Sequence, residues 1–321
     1  GDIGINPATS YEQQLHDDFV IADFKKRRTI IEEGVIALAE NNSGRAVIDP
    51  ELLDEVTALN EWPVPLLGRF DQRFLSVPAE ALISSMKEHQ KYFHLVDNNG
   101  HLLPAFVTVA NINSKQPEQI VAGNEKVIRP RLADAAFFYK NDAGSSLEER
   151  RESLKTVVFQ EKLGSVYDKT ERVARLAKLL ASASGANPDH SFRAAQLSKS
   201  DLVSDMVGEF ADLQGIMGRY YALNDGEHED IAEAQLEQYL PKSANDKLPA
   251  TAVGITLAIA DKLDTLIGIF SIGQQPSGSR DPFALRRASL GILRIIIGCQ
   301  INMDLKHAIK SAAEPFNLEK D

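Results

Sequence analysis

The chain has 321 residues, of which 43% are hydrophobic, and a formal net charge of −11. This length is sufficient for about two packed domains; the single cysteine excludes an internal disulfide framework, and no apolar run reaches the roughly 18 residues that a membrane-spanning helix needs. The acidic balance argues against indiscriminate binding of nucleic acid, because phosphate contacts need clustered Lys and Arg, but a local basic patch is compatible with it.

The N-terminal residues give no sign of a targeting segment. They are polar and loop-like and begin with Gly rather than Met. Since nothing resembles a secretory signal, we expect a cytoplasmic protein that does not enter a membrane. The missing Met favours a piece of a longer protein.

Residues 1–150 are predicted to form a mixed α/β module. Apolar residues recur at intervals of three and four over residues 11–40, which predicts a long helix, and an Asp-Pro start predicts a second helix over residues 50–60. A further helix is expected over residues 78–89. The β-branched and aromatic runs at residues 92–96 and 102–110 predict a hairpin.

Residues 151–321 are predicted to form an all-α module, because helical spacing dominates and no strand pattern is visible. The expected helices cover residues 167–181, 192–207, 231–239, 252–270 and 282–297. The overall prediction is an α+β chain that is predominantly helical.

The predicted helix over residues 282–297 has the most informative sequence. Asp281-Pro282 is a sound helix start, because the carboxylate caps free N–H groups and proline lacks the one it would leave unpaired. The helix is predicted to have an apolar face, formed by Phe283, Leu290 and Leu293. Its basic residues are Arg286, Arg287 and Arg294, and Arg280 lies just before the helix. Periodicity alone is compatible with solvated arginines or with a face that binds phosphate.

Several long segments resemble the beta chain of the bacterial, two-subunit glycyl-tRNA synthetase. They are MKEHQKYF (86–93), GNEKVIRPRLADA (123–135), FQEKLGS (159–165), EF with LQGIMG (209–210 and 213–218), AIADKLDTL (258–266) and DPFALRRASLGILR (281–294). These ordered matches spread over about residues 60–297. Against the full length of that family, the chain resembles a central piece that lacks an N-terminal portion and the C-terminal anticodon-binding region.

The resemblance implies a division of labour between two subunits. In that family the alpha subunit uses ATP and Mg to adenylate glycine and transfers it to tRNA(Gly), and the beta subunit grips the tRNA and braces the alpha subunit. The whole enzyme is expected to be an alpha2beta2 tetramer. This chain is accordingly expected to be non-catalytic and to hold no cofactor or metal. It contains neither a P-loop nor a strand-linked GxGxxG motif, which agrees with that expectation.

Three basic groups are the candidates for tRNA contacts. Lys87 and Lys91 lie next to Tyr92 and Phe93, whose rings could stack on bases; the alternative is solvated lysines beside core aromatics. The second group, Lys126, Arg129 and Arg131, is predicted in a short loop around Pro130, and the alternative is pairing with Glu125 and Asp134. The third group is Arg280, Arg286 and Arg287. Arginine side chains match the geometry of phosphate.

The helical half also resembles an HD domain, in which histidines and aspartates hold a catalytic metal. The corresponding positions here are Lys169, Ser200, Asp201 and Asp261. Both expected histidines are therefore absent, and a lysine ammonium would repel a cation. We predict an HD-like scaffold without its metal, in which Asp201 and Asp261 serve packing or ion pairs, for example toward Lys169.

Two other functions stay open at this point. One is a metal-dependent HD-type phosphohydrolase with an unusual metal site, and the other is a purely structural brace for the alpha subunit. His190 and His228 are the histidines that could replace the lost ligands. Neither falls at a ligand position of the predicted domain, so we do not assign them that role.

Overall fold

The structure is a computed structural model that describes residues 8–316. The chain divides into two compact units, Gly1–Tyr139 and Lys140–Asp321, whereas the sequence pattern places the division at residue 150. Helices dominate and the strands are few and short, so the predicted α+β, predominantly helical class is confirmed. Among the described residues, no helix combines the length and the apolar character that crossing a bilayer requires.

The first unit is a four-stranded antiparallel sheet with packed helices. Its strands are β1 (Arg45–Ala46), β2 (Val64–Arg69), β3 (Phe93–Val96) and β4 (Leu102–Ala110), in the order β1-β3-β4-β2. Its helices are α1 (Tyr11–Asp17), α2 (Phe24–Glu40), α3 (Pro50–Leu59), α4 (Ala79–Ser84, followed by a π-helical turn, Ser85–His89) and α5 (Pro117–Asp142), whose last residues belong to the second unit. The predicted hairpin is β3–β4, with Phe93 opposite Val107. Ile31 and Val35 of α2 pack with these two residues in the core.

The single helix predicted over residues 11–40 is wrong, because the chain forms two helices there. Phe19 takes a left-handed φ of 61° in the segment between them. The side chain of Asp23 then accepts hydrogen bonds from the N–H groups of Lys25, at 2.7 Å, and Lys26. Capping of this kind begins a new helix, and the apolar spacing of α2 does not reveal it.

The basic loop predicted around Pro130 is also wrong, because Pro130 lies inside α5. An internal proline removes one backbone hydrogen bond and crowds the preceding turn. Ile128 and Leu132 are both fully buried, one on each side of the proline and four residues apart. Burial of this face outweighs the local cost, since most helical stability in proteins comes from packing.

The second unit is built around one long apolar helix, α12. Its helices are α6 (Leu147–Arg151), α7 (Val166–Ser184), α8 (Pro188–Leu197), α9 (Asp205–Glu209), α10 (Ile216–Asn224), α11 (Glu229–Glu237), α12 (Ala252–Ser271), α13 (Leu285–Gly298) and α14 (Leu305–Ala313). α12 packs against α7, α11 and α13. The prediction of an all-α module missed a small antiparallel hairpin, β5 (Val158–Gln160) and β6 (Gly164–Ser165), which is too short for its period to be visible.

Two predicted helices of this unit have different bounds. The helix predicted over residues 192–207 is interrupted, because α8 ends at Leu197 and Lys199 takes a left-handed φ of 66°. A 3₁₀ turn, Ser200–Val203, follows. α13 begins at Leu285 rather than at Pro282, although the carboxylate of Asp281 still accepts the N–H of Leu285 at 2.8 Å.

Candidate functional site

Two lysines and two aspartates form a buried ionic cluster between α7, α12 and the turn after α8. Asp261 and Asp264 are one helical turn apart on α12, Lys169 projects from α7, and Lys199 lies at the left-handed turn. The Nζ atoms of Lys169 and Lys199 each lie 3.2 Å from Oδ1 of Asp261. Lys169 Nζ also lies 3.1 Å from Oδ2 of Asp264. We call these four residues the lysine–aspartate cluster.

The electrostatics of this cluster follow from its burial. Burial by itself raises the pKa of Asp261, but the ammonium groups of Lys169 and Lys199 outweigh it and hold the pKa well below its ordinary value. Burial lowers the pKa of Lys199. It also lowers the pKa of the neighbouring Lys262, to about 8. The site therefore holds an ionised carboxylate between cations.

The residues at the predicted HD positions do not fit a metal ion. Lys169 has an ammonium group in contact with Asp261, where a ligand is required, and Lys199 adds a second one. Ser200 is fully buried and its hydroxyl makes no hydrogen bond within the described residues. Ammonium groups carry no lone pair and repel cations, so these side chains are unsuited to hold a metal ion.

Asp201 behaves differently from Asp261. Its Oδ2 accepts the backbone N–H groups of Gly215, at 2.6 Å, and Gly218, at 3.2 Å. Burial nevertheless raises its pKa. The ion pair predicted between Lys169 and Asp261 is present, whereas Asp201 holds the backbone around the start of α10.

Lys199, Asp264 and Lys262 belong to this arrangement, and sequence reasoning missed all three. A lysine directly precedes Ser200, as Lys199-Ser200-Asp201, and another directly follows Asp261, as Asp261-Lys262. These adjacent lysines were a signal that positive charge accompanies Asp261. Only the fold shows that Lys199 reaches Asp261.

A pocket of about 410 Å³ lies beside the cluster. Its charged lining residues come from α12, α13 and two connecting segments, and they are Asp212, Lys242, Asp261, Lys262 and Arg287. The pocket also has apolar walls, formed by Tyr239, Pro241, Phe283, Ala284 and Ala288. We call it the α12–α13 pocket. Its volume lies within the range of sites that bind small molecules.

Two arginines of α13 and the arginine that precedes the helix are accessible. Arg280, Arg286 and Arg287 are exposed. Arg294 instead donates to the backbone carbonyl groups of Ser243, at 2.7 Å, and Asp246. The predicted apolar face of Phe283, Leu290 and Leu293 is not the packed side of the helix. Leu290 is 62% and Leu293 is 42% exposed, and only Phe283 packs against a core cluster. The buried side is formed by Leu285, Ile292 and Ile295.

The basic group on α5 is also exposed. Lys126, Arg129 and Arg131 lie on the surface of the helix rather than in a loop. Glu125, one of the alternative partners, accepts the backbone N–H of Arg69 at 2.8 Å. The helix spacing places Lys126 and Arg129 on one face.

Lys87 and Lys91 are engaged in ion pairs. Lys87 Nζ lies 2.7 Å from Oδ2 of Asp49 and Lys91 Nζ lies 3.0 Å from Oε2 of Glu55. The hydrogen bond from Lys87 lowers the pKa of Asp49.

The aromatic neighbours of these lysines belong to the core. Tyr92 is 3% exposed and Phe93 is fully buried, and the Tyr92 ring stacks on Phe106 at 4.5 Å. Stacking of these two rings on bases is therefore excluded, and the alternative of core aromatics is confirmed.

A histidine pair that the sequence keeps 38 positions apart meets in the second unit. The rings of His190 and His228 lie 4.4 Å apart, and their Nδ1 atoms lie 3.4 and 3.5 Å from Oδ2 of Asp230. These three side chains could together hold a divalent transition metal. His228 Nδ1 already accepts the backbone N–H of Asp230 at 3.2 Å, which competes with such a role.

Comparison with known proteins gives consistent matches. A family model described as glycyl-tRNA synthetase beta subunit matches residues 1–321. A relative from Marinobacter nauticus, "Glycine--tRNA ligase beta subunit", is 62% identical over 96% of this chain and 45% of its own length. Relatives of the same name from Chromohalobacter salexigens and Stutzerimonas stutzeri are 56% and 55% identical over 97% and 99% of this chain. The chain spans less than half the length of these three relatives.

Proposed function

The chain belongs to the glycyl-tRNA synthetase beta subunit family, and from this premise we propose that it serves a ligase that joins glycine to tRNA(Gly). The alpha subunit adenylates glycine with ATP and Mg and transfers it, while this chain binds tRNA and braces the alpha subunit. The whole enzyme is an alpha2beta2 tetramer that acts in the cytoplasm. The names of the relatives support the ligase assignment.

The exposed arginines of α13 carry the tRNA-binding part of this proposal. Arg286 and Arg287 are exposed neighbours on one helix, and Arg280 precedes it. Guanidinium groups match the geometry of phosphate. A local basic surface of this kind can bind RNA on a body of net charge −11.

We expect the double variant Arg286→Ala/Arg287→Ala to bind tRNA(Gly) more weakly and with a flatter salt dependence. Each lost phosphate contact lowers the slope of log K against log salt by about 1. Filter binding or fluorescence anisotropy over a series of salt concentrations measures both quantities.

The pair Lys87→Ala/Lys91→Ala is the matched control, because carboxylates already neutralise these two lysines. We expect it to change the salt slope less than the arginine pair does. An unchanged slope in the arginine variant would remove those two residues from the tRNA interface.

The metal-dependent phosphohydrolase is the alternative from another class, and the ammonium groups around Asp261 argue against it. Elemental analysis of the purified chain tests it. A stoichiometric metal that persists in His228→Ala would favour this enzyme, whereas a metal lost in that variant would belong to the histidine pair.

The purely structural brace makes a different prediction in binding assays. A brace binds the alpha subunit and leaves tRNA unbound, so the two ligands are titrated separately. Measurable affinity for tRNA(Gly) in the absence of the alpha subunit would exclude the brace as the only role.

A further inference from the structure

The α12–α13 pocket combines cationic groups with apolar walls. Lys262 of α12, Arg287 of α13 and Lys242 of the connection after α11 all line it. Lys262 Nζ donates to the backbone carbonyl groups of Leu240, at 2.7 Å, and Gln238, at 3.2 Å. An ammonium group has three N–H donors, so one donor of Lys262 remains for a ligand.

The charged groups that line the pocket are unequal in number. Lys242, Lys262 and Arg287 face it together with two carboxylates, those of Asp212 and Asp261. Asp261 is already paired with Lys169 and Lys199. Lys262 forms its hydrogen bonds with neutral carbonyl groups, so the pocket carries a surplus of positive charge. A buried charge without a counterion is costly, and an anion in the pocket would offset that cost.

We propose that the α12–α13 pocket binds the phosphate group of a nucleotide between Lys262 and Arg287, with the nucleoside against Tyr239 and Phe283. Arginine forks and lysine ammonium groups are the usual donors to phosphate oxygens. The aromatic rings supply contact area for a base.

The pocket shares Arg287 with the proposed tRNA surface, but a free nucleotide tests it in the absence of tRNA. It is tested by titrating the purified chain with AMP, inorganic phosphate and adenosine in isothermal calorimetry. We expect AMP to bind saturably, phosphate more weakly, and adenosine at least about tenfold more weakly than AMP. Absence of saturable AMP binding, or equal binding of AMP and adenosine, would overturn the proposal.

Arg286 and Arg287 provide a matched pair of variants. Both are exposed on α13, but only Arg287 lines the pocket. We expect Arg287→Ala to weaken AMP binding about tenfold and Arg286→Ala to change it less than about twofold. Equal effects of the two substitutions would contradict the assigned geometry. Because both side chains are on the surface, neither variant is expected to unfold, and circular dichroism verifies this.

Competition identifies the source of the nucleotide. If tRNA(Gly) displaces AMP from the wild-type chain, the pocket holds a nucleotide of the RNA; if both bind together, it holds a free nucleotide. Either result retains the pocket. Failure of the tRNA proposal is seen separately, as unmeasurable tRNA affinity while AMP still binds.

Discussion

At the scale of single residues, Asp261 is the carboxylate on which the buried charges of the second unit converge. Its Oδ1 lies 3.2 Å from two different ammonium groups, and its side chain is 16% exposed. Removing one partner of a buried ion pair is far more damaging than removing an exposed one, because the remaining charge is left without compensation. Asp261 is therefore a sensitive test of how the cluster contributes to stability.

We expect Asp261→Asn to lower the free energy of unfolding by about 3 kcal/mol, measured by urea denaturation at neutral pH. The pKa of Asp261 is lowered in the folded chain from its ordinary 3.8. The stabilisation from the Asp261 carboxylate is thus present above that pH and is lost as the pH falls. The difference in unfolding free energy between the wild type and Asp261→Asn should therefore become smaller in acid.

The matched control for this substitution is Asp189→Asn. Asp189 also pairs with a lysine, at 2.8 Å from Lys178, but its side chain is 85% exposed. We expect its denaturation midpoint to match that of the wild type, because solvent screens exposed pairs. Equal losses in both variants would show that burial of the cluster does not matter.

At the scale of secondary-structure elements, the start of α12 depends on a glycine. The carboxylate of Glu237, at the end of α11, accepts the backbone N–H of Ala250 at 2.7 Å and the hydroxyl of Thr251. Thr251 in turn caps α12 through the N–H of Gly254. A Cβ atom on Gly254 would lie 1.9 Å from Oε2 of Glu237, so only glycine leaves this connection intact.

We expect Gly254→Ala to lower the unfolding free energy by about 2 kcal/mol, as overpacking does, in spite of the better helix propensity of alanine. Gly208→Ala in α9 is the control, because a Cβ atom there meets nothing within 4 Å; it should be neutral or slightly stabilising. Thermal and urea denaturation of both variants measure the difference. A Gly254→Ala chain as stable as Gly208→Ala would refute this account of the α11–α12 connection.

The sequence predicted the existence of most elements better than their ends. Apolar spacing located α2, α7 and α12, since that spacing is a property of the buried face. It failed where one residue changes the direction of the chain, as at Phe19 and Lys199, because a left-handed φ at a non-glycine residue leaves no pattern in the neighbouring residues.

The candidate site was predictable to a similar degree. The resemblance to an HD domain suggested Lys169 and Asp261 as partners, and they are in contact. Lys199 was not, because its approach to Asp261 depends on the turn that ends α8. The accessibility of Arg287 and the burial of Tyr92 likewise depend on tertiary packing, which composition and spacing do not contain.

At the scale of the whole chain, the exposed side of α13 combines arginines with apolar side chains that a folded chain usually buries. Leu290 is 62% and Ile297 is 75% exposed, and helical spacing places both on the same face as Arg286. Exposed apolar surface of this extent marks contacts with other proteins. In the proposed function, these apolar side chains pack on the alpha subunit beside the arginines that bind tRNA.

We expect Leu290→Ala/Ile297→Ala to weaken binding of the alpha subunit at least about tenfold and to leave tRNA affinity nearly unchanged, because alanine removes apolar contact area without adding charge beside the arginines. For Arg286→Ala/Arg287→Ala we expect weaker tRNA binding and nearly unchanged binding of the alpha subunit. Leu59→Ala on α3 is a control, because Leu59 is similarly exposed, at 63%, in the other unit. Surface plasmon resonance with each ligand measures both affinities, and unaltered alpha-subunit binding would show that this subunit docks elsewhere.

The position of Lys199 also limits what could be engineered into the second unit. Histidine at residues 169 and 200 would supply two imidazoles near Asp261, yet the Lys199 ammonium would still lie 3.2 Å from Oδ1 of Asp261 and would oppose any arriving cation. Because the backbone at residue 199 is left-handed, the side chain there is placed by a turn and not by a helix face. A metal site built on Asp261 therefore requires substitutions at residues 169, 199 and 200 together.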